Sequence, residues 1–268
     1  MKHLNETDSP TALRMKQDLY VDNILSSLSS ENELVTYFKE SKLLMSKAGF
    51  NLRSWASNNV LLKDMAIKDY IEDKEIKTKV LGLRWDTEKD QLSFTETNFN
   101  LPLESTCITK REILRRSSRI YYPLGLLGPI TIRAKVLLQE LWKRKIGWDI
   151  PVSHDIGSLW TDLSKDLQLS TSIELNRHYF PETEYQYYDK ELHVFVDASL
   201  TAYGAVAYIS NGHSTSFLMA KNRVAPLKAL TLPQLELMAV LVGARLATHS
   251  TETLKVNNVT FWCDSQIV

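Results

Sequence analysis

One strand that ends in an acidic residue constrains the fold of this 268-residue chain more than any other feature. Apolar and polar side chains alternate over Leu192–Val196, which is typical of a half-buried β-strand, and Asp197 follows directly. Two further strands are predicted at Tyr203–Ile209 and Ser214–Lys221, because the Asn-Gly pair at 211–212 is a strong hairpin signal. We therefore expect an antiparallel meander that begins beside this acid.

A helix and a fourth strand follow the meander. The stretch Thr231–Gln234 predicts a helix start, with Thr as the cap, Gln as its partner in a capping box and Pro in the first turn. This helix is expected to reach about His249 and to carry Glu236 near its start. A strand at Val259–Cys263 then places Asp264 at its carboxyl end. The predicted order is β-β-β-α-β.

The three acidic residues of this pattern predict a metal site. Asp197, Glu236 and Asp264 would repel one another if they converged, unless a divalent cation lay between them. Mg²⁺, or Mn²⁺ in its place, suits carboxylate ligands, and two such ions about 4 Å apart support phosphodiester cleavage. Apolar neighbours such as Leu237 and Leu241 are expected to bury most of the helix. The alternative is that the acids are strand-end turn residues and a solvated helix residue.

Four segments of this region carry a resemblance to a known family. They are Phe195–Ser199, Tyr203–Tyr208, Leu232–Leu237 and Cys263–Ser265. These segments resemble the RNase H-like domain of Pao/BEL-class retrotransposon polyproteins, although Gln234 stands where the family helix usually has Arg. The resemblance implies that Asp197, Glu236 and Asp264 are catalytic residues that bind metal. It also implies hydrolysis of the RNA strand in RNA–DNA hybrids.

The N-terminal part resembles the reverse transcriptase palm of the same polyproteins. Tyr20–Asn23 matches the palm motif Tyr-Val-Asp-Asp, and Gly49–Asn58 continues the likeness. The resemblance makes Asp22 a candidate polymerase catalytic residue, with Asn23 in place of the second Asp. The Asp22-Asn23 pair is also typical of a tight hairpin turn. Because only 21 residues precede Asp22, we do not expect polymerase activity from this chain alone.

Positive charge is concentrated between residues 110 and 145. This stretch contains ten basic residues and only two acidic ones, whereas the whole chain is neutral, with 32 basic and 32 acidic residues. A helix is predicted from Lys110 to about Tyr121, and its arginines at i, i+4 and i+8 would form a stripe for phosphate contacts. A solvated helix face is the alternative. The candidate nucleic-acid-binding residues are Lys110, Arg111, Arg115, Arg116, Arg119, Arg133 and Lys135.

The pattern and the resemblance together predict a mixed α+β and α/β chain. A palm remnant and a helical thumb-like region precede an incomplete RNase H-like mixed sheet with a helix. The predicted segments are a disordered tail (1–15), the palm remnant and a hairpin (16–100), the basic helical thumb and connection (101–181), a linker (182–191) and a truncated RNase H-like domain (192–268). Since the sequence ends four residues after Asp264, we expect impaired or absent activity in the isolated chain.

Several classes of protein are excluded by composition and motifs. No apolar run approaches the length of a membrane span. The two cysteines, Cys107 and Cys263, indicate neither a disulfide framework nor a zinc site, which favours an intracellular, cytoplasmic or nuclear location. An aspartic peptidase is not supported, because Asp-Thr-Gly and Asp-Ser-Gly do not occur.

The predicted function is that of a retrotransposon Pol polyprotein fragment, related to RNA-directed DNA polymerase and RNase H. Its expected partners are an RNA–DNA hybrid or a primer-template, together with the remaining polyprotein segments. The main alternative is a non-catalytic nucleic-acid-binding remnant of a transposable element. A truncated gene product with no retained role is the third.

Overall fold

The computed structural model describes residues 9–75, 77–94, 108–180 and 189–265. These residues form a mixed α+β structure with seven helices and ten strands, which confirms the predicted fold class. The chain divides into two compact units, one of Met1–Thr78 with Trp85–Asp90 and one of Lys79–Arg84 with Gln91–Val268. The predicted tail up to residue 8, the boundary at residue 100 and the linker at 182–188 lie outside the described residues.

The first unit begins with a helix where the sequence predicts a tail. Helix α1 spans Pro10–Asp18, and the side chain of Ser9 accepts a hydrogen bond from the Ala12 N–H at 3.1 Å. Met15 is fully buried in a small apolar cluster, so residues 10–15 are ordered by packing. The remaining elements are β1 (Leu19–Tyr20), β2 (Asn23–Ile24), α2 (Glu31–Lys47) and α3 (Val60–Lys68).

The predicted basic region forms three helices in the second unit. They are α4 (Lys110–Ser117), α5 (Gly128–Lys143) and α6 (His154–Ser170), packed around a core that includes Ile113, Leu141 and Trp160. Helix α4 ends four residues earlier than predicted.

A four-stranded sheet has the order β3 (Lys77–Val80), β4 (Leu83–Asp86), β5 (Gln91–Ser93) and β6 (Glu174–Asn176).

The RNase H-like region has the predicted β-β-β-α-β order. Its elements are β7 (Glu191–Ala198), β8 (Ala202–Ser210), β9 (Thr215–Val224), α7 (Leu232–Leu254) and β10 (Asn258–Trp262). The sheet order is β10-β7-β8-β9, in which β10 runs parallel to β7 and the other pairs are antiparallel. The predicted capping contact is present, since the Thr231 N–H donates to Gln234 Oε1 at 2.9 Å. Helix α7 leads from β9 at one edge of this sheet to β10 at the other.

Helix α7 packs closely on one face of this sheet. Leu192, Val194 and Val196 alternate along β7 and are buried in the core that α7 covers. Gly243 is the point of closest approach, because a Cβ atom there would lie 2.5 Å from Val196 Cγ1. A larger residue at this position would force the helix away from the strand.

The loop before α5 joins the helices to the sheet within the second unit. The Ala220 N–H of β9 donates to Leu124 O at 2.8 Å. Gly125 has a φ of +80°, and a Cβ atom there would lie 1.9 Å from Ala220 O. Gln139 Nε2 donates to Ala225 O at 2.6 Å. The loop before α5 therefore contacts the edge strand β9, and α5 itself contacts the residue that follows this strand.

None of the helices in the described ranges combines the length and apolarity that crossing a membrane requires.

We predict that Gly243→Val destabilises the second unit by about 1–3 kcal/mol, because the new side chain overpacks the contact with Val196. The matched control is Ala244→Val on the exposed side of the same helix, which should cost less than about 1 kcal/mol. Urea unfolding followed by circular dichroism measures both. Equal midpoints for the two variants would contradict the close approach.

Candidate functional site

Asp197 lies at the end of β7, on the side of the strand that faces away from α7. Phe195, two residues earlier, is 42% exposed, whereas Val196 belongs to the buried core. The Asp197 side chain is exposed, and its Oδ1 accepts a hydrogen bond from the Ala198 N–H at 2.7 Å. This acid is therefore accessible at the carboxyl end of the strand, as the sequence predicts.

Asp264 follows the neighbouring strand at the same level. Trp262 pairs with Phe195 in the parallel register of β10 and β7, and their rings stack 5.8 Å apart with an interplanar angle of 11°. Asp264 and Asp197 each come two residues after this pair. Both carboxylates thus lie at the same end of the sheet, towards the carboxyl ends of β7 and β10, and both are exposed.

Glu236 is supplied by the second turn of α7 and is half-buried. Ser265, the residue after Asp264, donates through Oγ to Glu236 Oε2 at 2.5 Å. The end of β10 is thereby tied to the helix. The prediction that most of α7 is buried is wrong, because Leu237 and Leu241 are 61% and 43% exposed. Only one face of the helix packs against the sheet.

The three acids suit a divalent cation by their chemistry, because all of them offer carboxylate oxygens. The elements that carry them also meet, as the Ser265–Glu236 hydrogen bond shows. Among the residues that the structure describes, however, no three His, Cys, Asp or Glu side chains are grouped closely enough to hold a metal ion. The predicted metal site therefore stays a prediction.

A cavity of about 330 Å³ lies beside Asp197. One side is lined by Gly128 and Pro129 at the start of α5, and the other by strands β7, β8 and β9, including Asn222. Its volume is near the lower end of the range for ligand pockets. The sequence reasoning missed this cavity, because α5 and the sheet are far apart along the chain.

The predicted stripe of arginines on α4 is largely paired with acids. Arg111 donates to Asp149 through Nε and Nη2 at 2.7 and 2.9 Å, and Arg115 donates to both carboxylate oxygens of Glu112 at 2.8 Å. Arg116 also pairs with Glu112 and is only 8% exposed. Hydrogen bonds from Arg115 and Arg116 lower the pKa of Glu112 to about 2.

Lys110 is not part of an exposed basic surface. It is 2% exposed, and its Nζ lies 3.1 Å from the ring centroid of Trp142 and 4.9 Å from that of Trp148. Burial lowers the pKa of Lys110. The one sequence feature that could have indicated this arrangement is the presence of two tryptophans, Trp142 and Trp148, on either side of the basic residues 143–145.

The other predicted basic residues are exposed. Arg119 lies beyond the C-cap of α4, so it does not extend the helical stripe as predicted. Arg133 on α5 pairs with Asp166 of α6 at 2.5 Å. Lys135 lies with its Nζ 5.7 Å from the ring centroid of Tyr122. Arg119 and Lys135 have no acidic partner within the described residues, and they remain the most available of the predicted phosphate contacts.

Asp22 belongs to the first unit and lies at the tip of the predicted hairpin. Tyr20 pairs with Asn23, so Val21 and Asp22 form the turn. Val21 has a φ of 56°, which is strained for a β-branched residue. Asp22 is exposed, and its Oδ1 accepts from Asn23 Nδ2 at 3.4 Å. Its assignment as a polymerase residue stays a prediction.

Comparison with solved structures finds proteins whose fold is similar to that of this chain. A foamy viral protease-reverse transcriptase in complex with dsDNA matches 95% of this chain and 50% of that chain, with 14% identity and a TM-score of 0.50. A foamy viral protease-reverse transcriptase dRH in complex with ds DNA matches 92% and 39%, with 14% identity and a TM-score of 0.46. This chain spans half or less of the length of these structures. The likeness concerns the fold alone.

The family model for the Pao retrotransposon-like RNaseH-like domain matches residues 109–265, which is more than half of the chain. The chain belongs to this family, and the predicted Pao-class resemblance is confirmed. The match begins at the cap of α4 and ends just after Asp264, so it includes the three helices as well as the sheet. No curated protein sequence matches the chain.

We predict that Glu112→Gln reduces the acid sensitivity of the second unit. The folded-state pKa of Glu112 is lowered to about 2, so its ion pairs stabilise the fold above the ordinary pKa of 4.5. This contribution is lost as the pH falls from about 4.5 towards 2, and it is modest because Arg115 is exposed to solvent.

Urea midpoints at about pH 6 and pH 3 test this expectation. The midpoint should fall less between the two conditions in Glu112→Gln than in the wild type. Glu252→Gln, on the exposed side of α7, is the matched control and should fall as the wild type does. An identical fall in all three proteins would contradict the role of Glu112.

Proposed function

We propose that this chain is a fragment of a retrotransposon Pol polyprotein and that its RNase H-like portion hydrolyses the RNA strand of RNA–DNA hybrids. One observation carries the proposal. Asp197 and Asp264 follow two adjacent parallel strands at the same level, and Glu236 is tied to the same edge by Ser265. Carboxylates at the ends of neighbouring elements suit metal-assisted phosphodiester hydrolysis when a divalent ion draws them together.

The proposed ligands for Mg²⁺ or Mn²⁺ are Asp197, Glu236 and Asp264. A bound divalent ion supplies an activated water and neutralises charge on the leaving oxygen. The carboxylates of Asp197 and Asp264 approach from the sheet, while Glu236 approaches from the helix. The Ser265 hydroxyl orients the Glu236 carboxylate by donating to Oε2. Since all three side chains have some exposure, they can move towards an ion when it binds.

The proposed substrate contacts include the exposed basic residues without an acidic partner, Arg119 and Lys135. A foamy viral protein with a similar fold was solved in complex with dsDNA, which supports nucleic-acid binding in general. For Lys110, Arg111, Arg115, Arg116 and Arg133 the assignment is weaker, because these side chains are buried or paired. We place the activity inside the cell, in the cytoplasm or nucleus, where hybrids arise. The palm-like hairpin at Asp22 is proposed to act only together with further polyprotein segments.

We predict that Asp197→Asn and Glu236→Gln each lower hybrid cleavage by about 100-fold or more, because each change removes a metal-binding charge. The matched controls are Asp189→Asn, just before the other end of β7, and Glu252→Gln, near the other end of α7. Both controls should cleave as the wild type does. The measurement is Mg²⁺- or Mn²⁺-dependent release of fragments from a hybrid with a labelled RNA strand.

Cleavage that persists in both acid variants would refute the assignment of these carboxylates. Cleavage without added metal, or equally in the presence of a chelator, would refute the metal-dependent mechanism. Binding of the hybrid should remain within about threefold of wild type in Asp197→Asn, since phosphate contacts by basic residues supply most of the affinity. The same assay therefore separates loss of chemistry from loss of binding.

A second candidate function is nucleic-acid binding without cleavage. The observation in its favour is that the described residues include no close group of three metal-binding side chains. In this case folded wild-type protein binds the hybrid with an affinity that falls steeply with salt, yet it never cuts.

Affinity measurements between about 50 and 200 mM salt test both candidates. We predict that Arg119→Ala and Lys135→Ala together weaken binding and reduce the steepness of the salt dependence. The paired change Lys16→Ala and Lys39→Ala, at exposed positions of α1 and α2, is the charge-matched control. A salt-independent affinity would contradict both functions.

A further inference from the structure

Two tryptophans form a partly exposed pair next to the end of α5. Trp142 lies in the last turn of the helix, and Trp148 lies in the segment that follows. Their ring centroids are 5.4 Å apart, and the rings are nearly perpendicular at 88°. The two side chains are 53% and 37% exposed, which is unusual for residues of this size in a well-packed unit.

The ammonium group of Lys110 holds the two rings in place through cation–π contacts. The Lys110 ammonium lies 3.1 Å from the centroid of the Trp142 ring, and it also donates to Ile146 O at 3.4 Å. Arg111 lies 5.8 Å from the Trp148 ring and forms its two hydrogen bonds to Asp149. Cation–π contacts therefore occupy one face of the Trp142 ring, while much of this side chain remains open to solvent.

The charge around the pair is positive after internal pairing is taken into account. Arg144 is neutralised by Glu140 and Asp155. Lys143 and Lys145 are exposed, and neither makes an ion pair within the residues that the structure describes. Two lysines without an ion pair thus lie between two exposed tryptophans in a stretch of seven consecutive residues, from 142 to 148.

We propose that this surface, formed by Trp142, Trp148, Lys143 and Lys145, binds single-stranded nucleic acid. Bases stack on the exposed parts of the two indole rings, and the lysines contact the neighbouring phosphates. Stacking on aromatic rings together with a cationic path for the backbone is the common mode of sequence-tolerant single-strand binding. The proposal rests on the nucleic-acid part of the proposed function and does not depend on hydrolysis.

The chemistry favours a single strand over a duplex. Bases in a duplex are stacked on one another and cannot offer a free face to a side chain, whereas bases in a single strand can be splayed onto aromatic rings. The ammonium of Lys110 fixes the Trp142 ring before any ligand arrives. Because little side-chain freedom is then lost on binding, the rings form a preorganised platform.

The test uses the full chain and fluorescent single strands of about 12 nucleotides, one of oligo(dT) and one of oligo(rU). We expect Trp142→Leu with Trp148→Leu to weaken binding of both strands by about tenfold or more. Wild-type tryptophan fluorescence should be quenched on binding, and this quenching should be lost in the double variant. Trp142→Phe, which retains a ring, should show intermediate binding.

Two controls separate stacking from general effects. Lys143→Ala with Lys145→Ala should weaken binding and lower its salt dependence, whereas Lys165→Ala, an exposed lysine of α6, should not. Thermal unfolding confirms that each variant is folded, and Trp142→Phe keeps the test valid if the double variant is not. Unchanged single-strand affinity in a folded Trp142→Phe and in the double lysine variant would overturn the proposal, and the pair would then serve only to cover Lys110.

Hybrid cleavage measured on the same variants distinguishes the two proposals. If the tryptophan variants lose single-strand binding, this surface is supported whether or not the wild type cleaves hybrids. If the wild type cleaves hybrids but fails to bind either single strand, this inference fails while the proposed hydrolase activity stands.

Discussion

The parallel pairing of β10 with β7 is the constraint on which the rest of the RNase H-like region depends. The chain leaves β9 at the opposite edge of the sheet, so it must cross the sheet to place β10 beside β7, and α7 makes this crossing. The close approach at Gly243 holds that helix against the β7 core. As a result, the residues after β7 and those after β10 lie at the same end of the sheet, and Ser265 joins the latter to the start of α7. Asp197, Asp264 and Glu236 come from these three places.

Ion pairing determines where the positive charge of the helical region is available. The acids that neutralise it, including Asp149, Asp155 and Asp166, lie outside the stretch from 110 to 145 in which the charge is concentrated. Short-range pairs to Glu112 and Glu140 neutralise more of it. The positive charge that remains unpaired at the surface is therefore smaller than the charge counted in the sequence, and it lies at other positions. It lies at positions such as Arg119, Lys135, Lys143 and Lys145 rather than along a stripe on α4.

Local sequence signals predicted the RNase H-like elements well, because each signal acts within a few residues. Alternation marked β7, the Asn-Gly pair marked the hairpin between β8 and β9, and the Thr231–Gln234 capping contact marked the start of α7. The first helix was missed, since α1 is short and owes its order to burial of Met15 in a cluster with residues of α2. The exposure of Leu237 was also missed, because an apolar side chain does not reveal whether a neighbour covers it.

The sequence by itself determined the order of elements in the RNase H-like region, the positions of the three acids on them and the membership of the Pao family, because periodicity, caps and motifs are local properties. Only the tertiary structure decided which charges are free, since ion pairs such as Arg111–Asp149 join residues that are distant along the chain. It also decided that Lys110 lies beneath Trp142 and that α5 borders a cavity beside Asp197. These features arise from packing between elements, and packing depends on the whole chain.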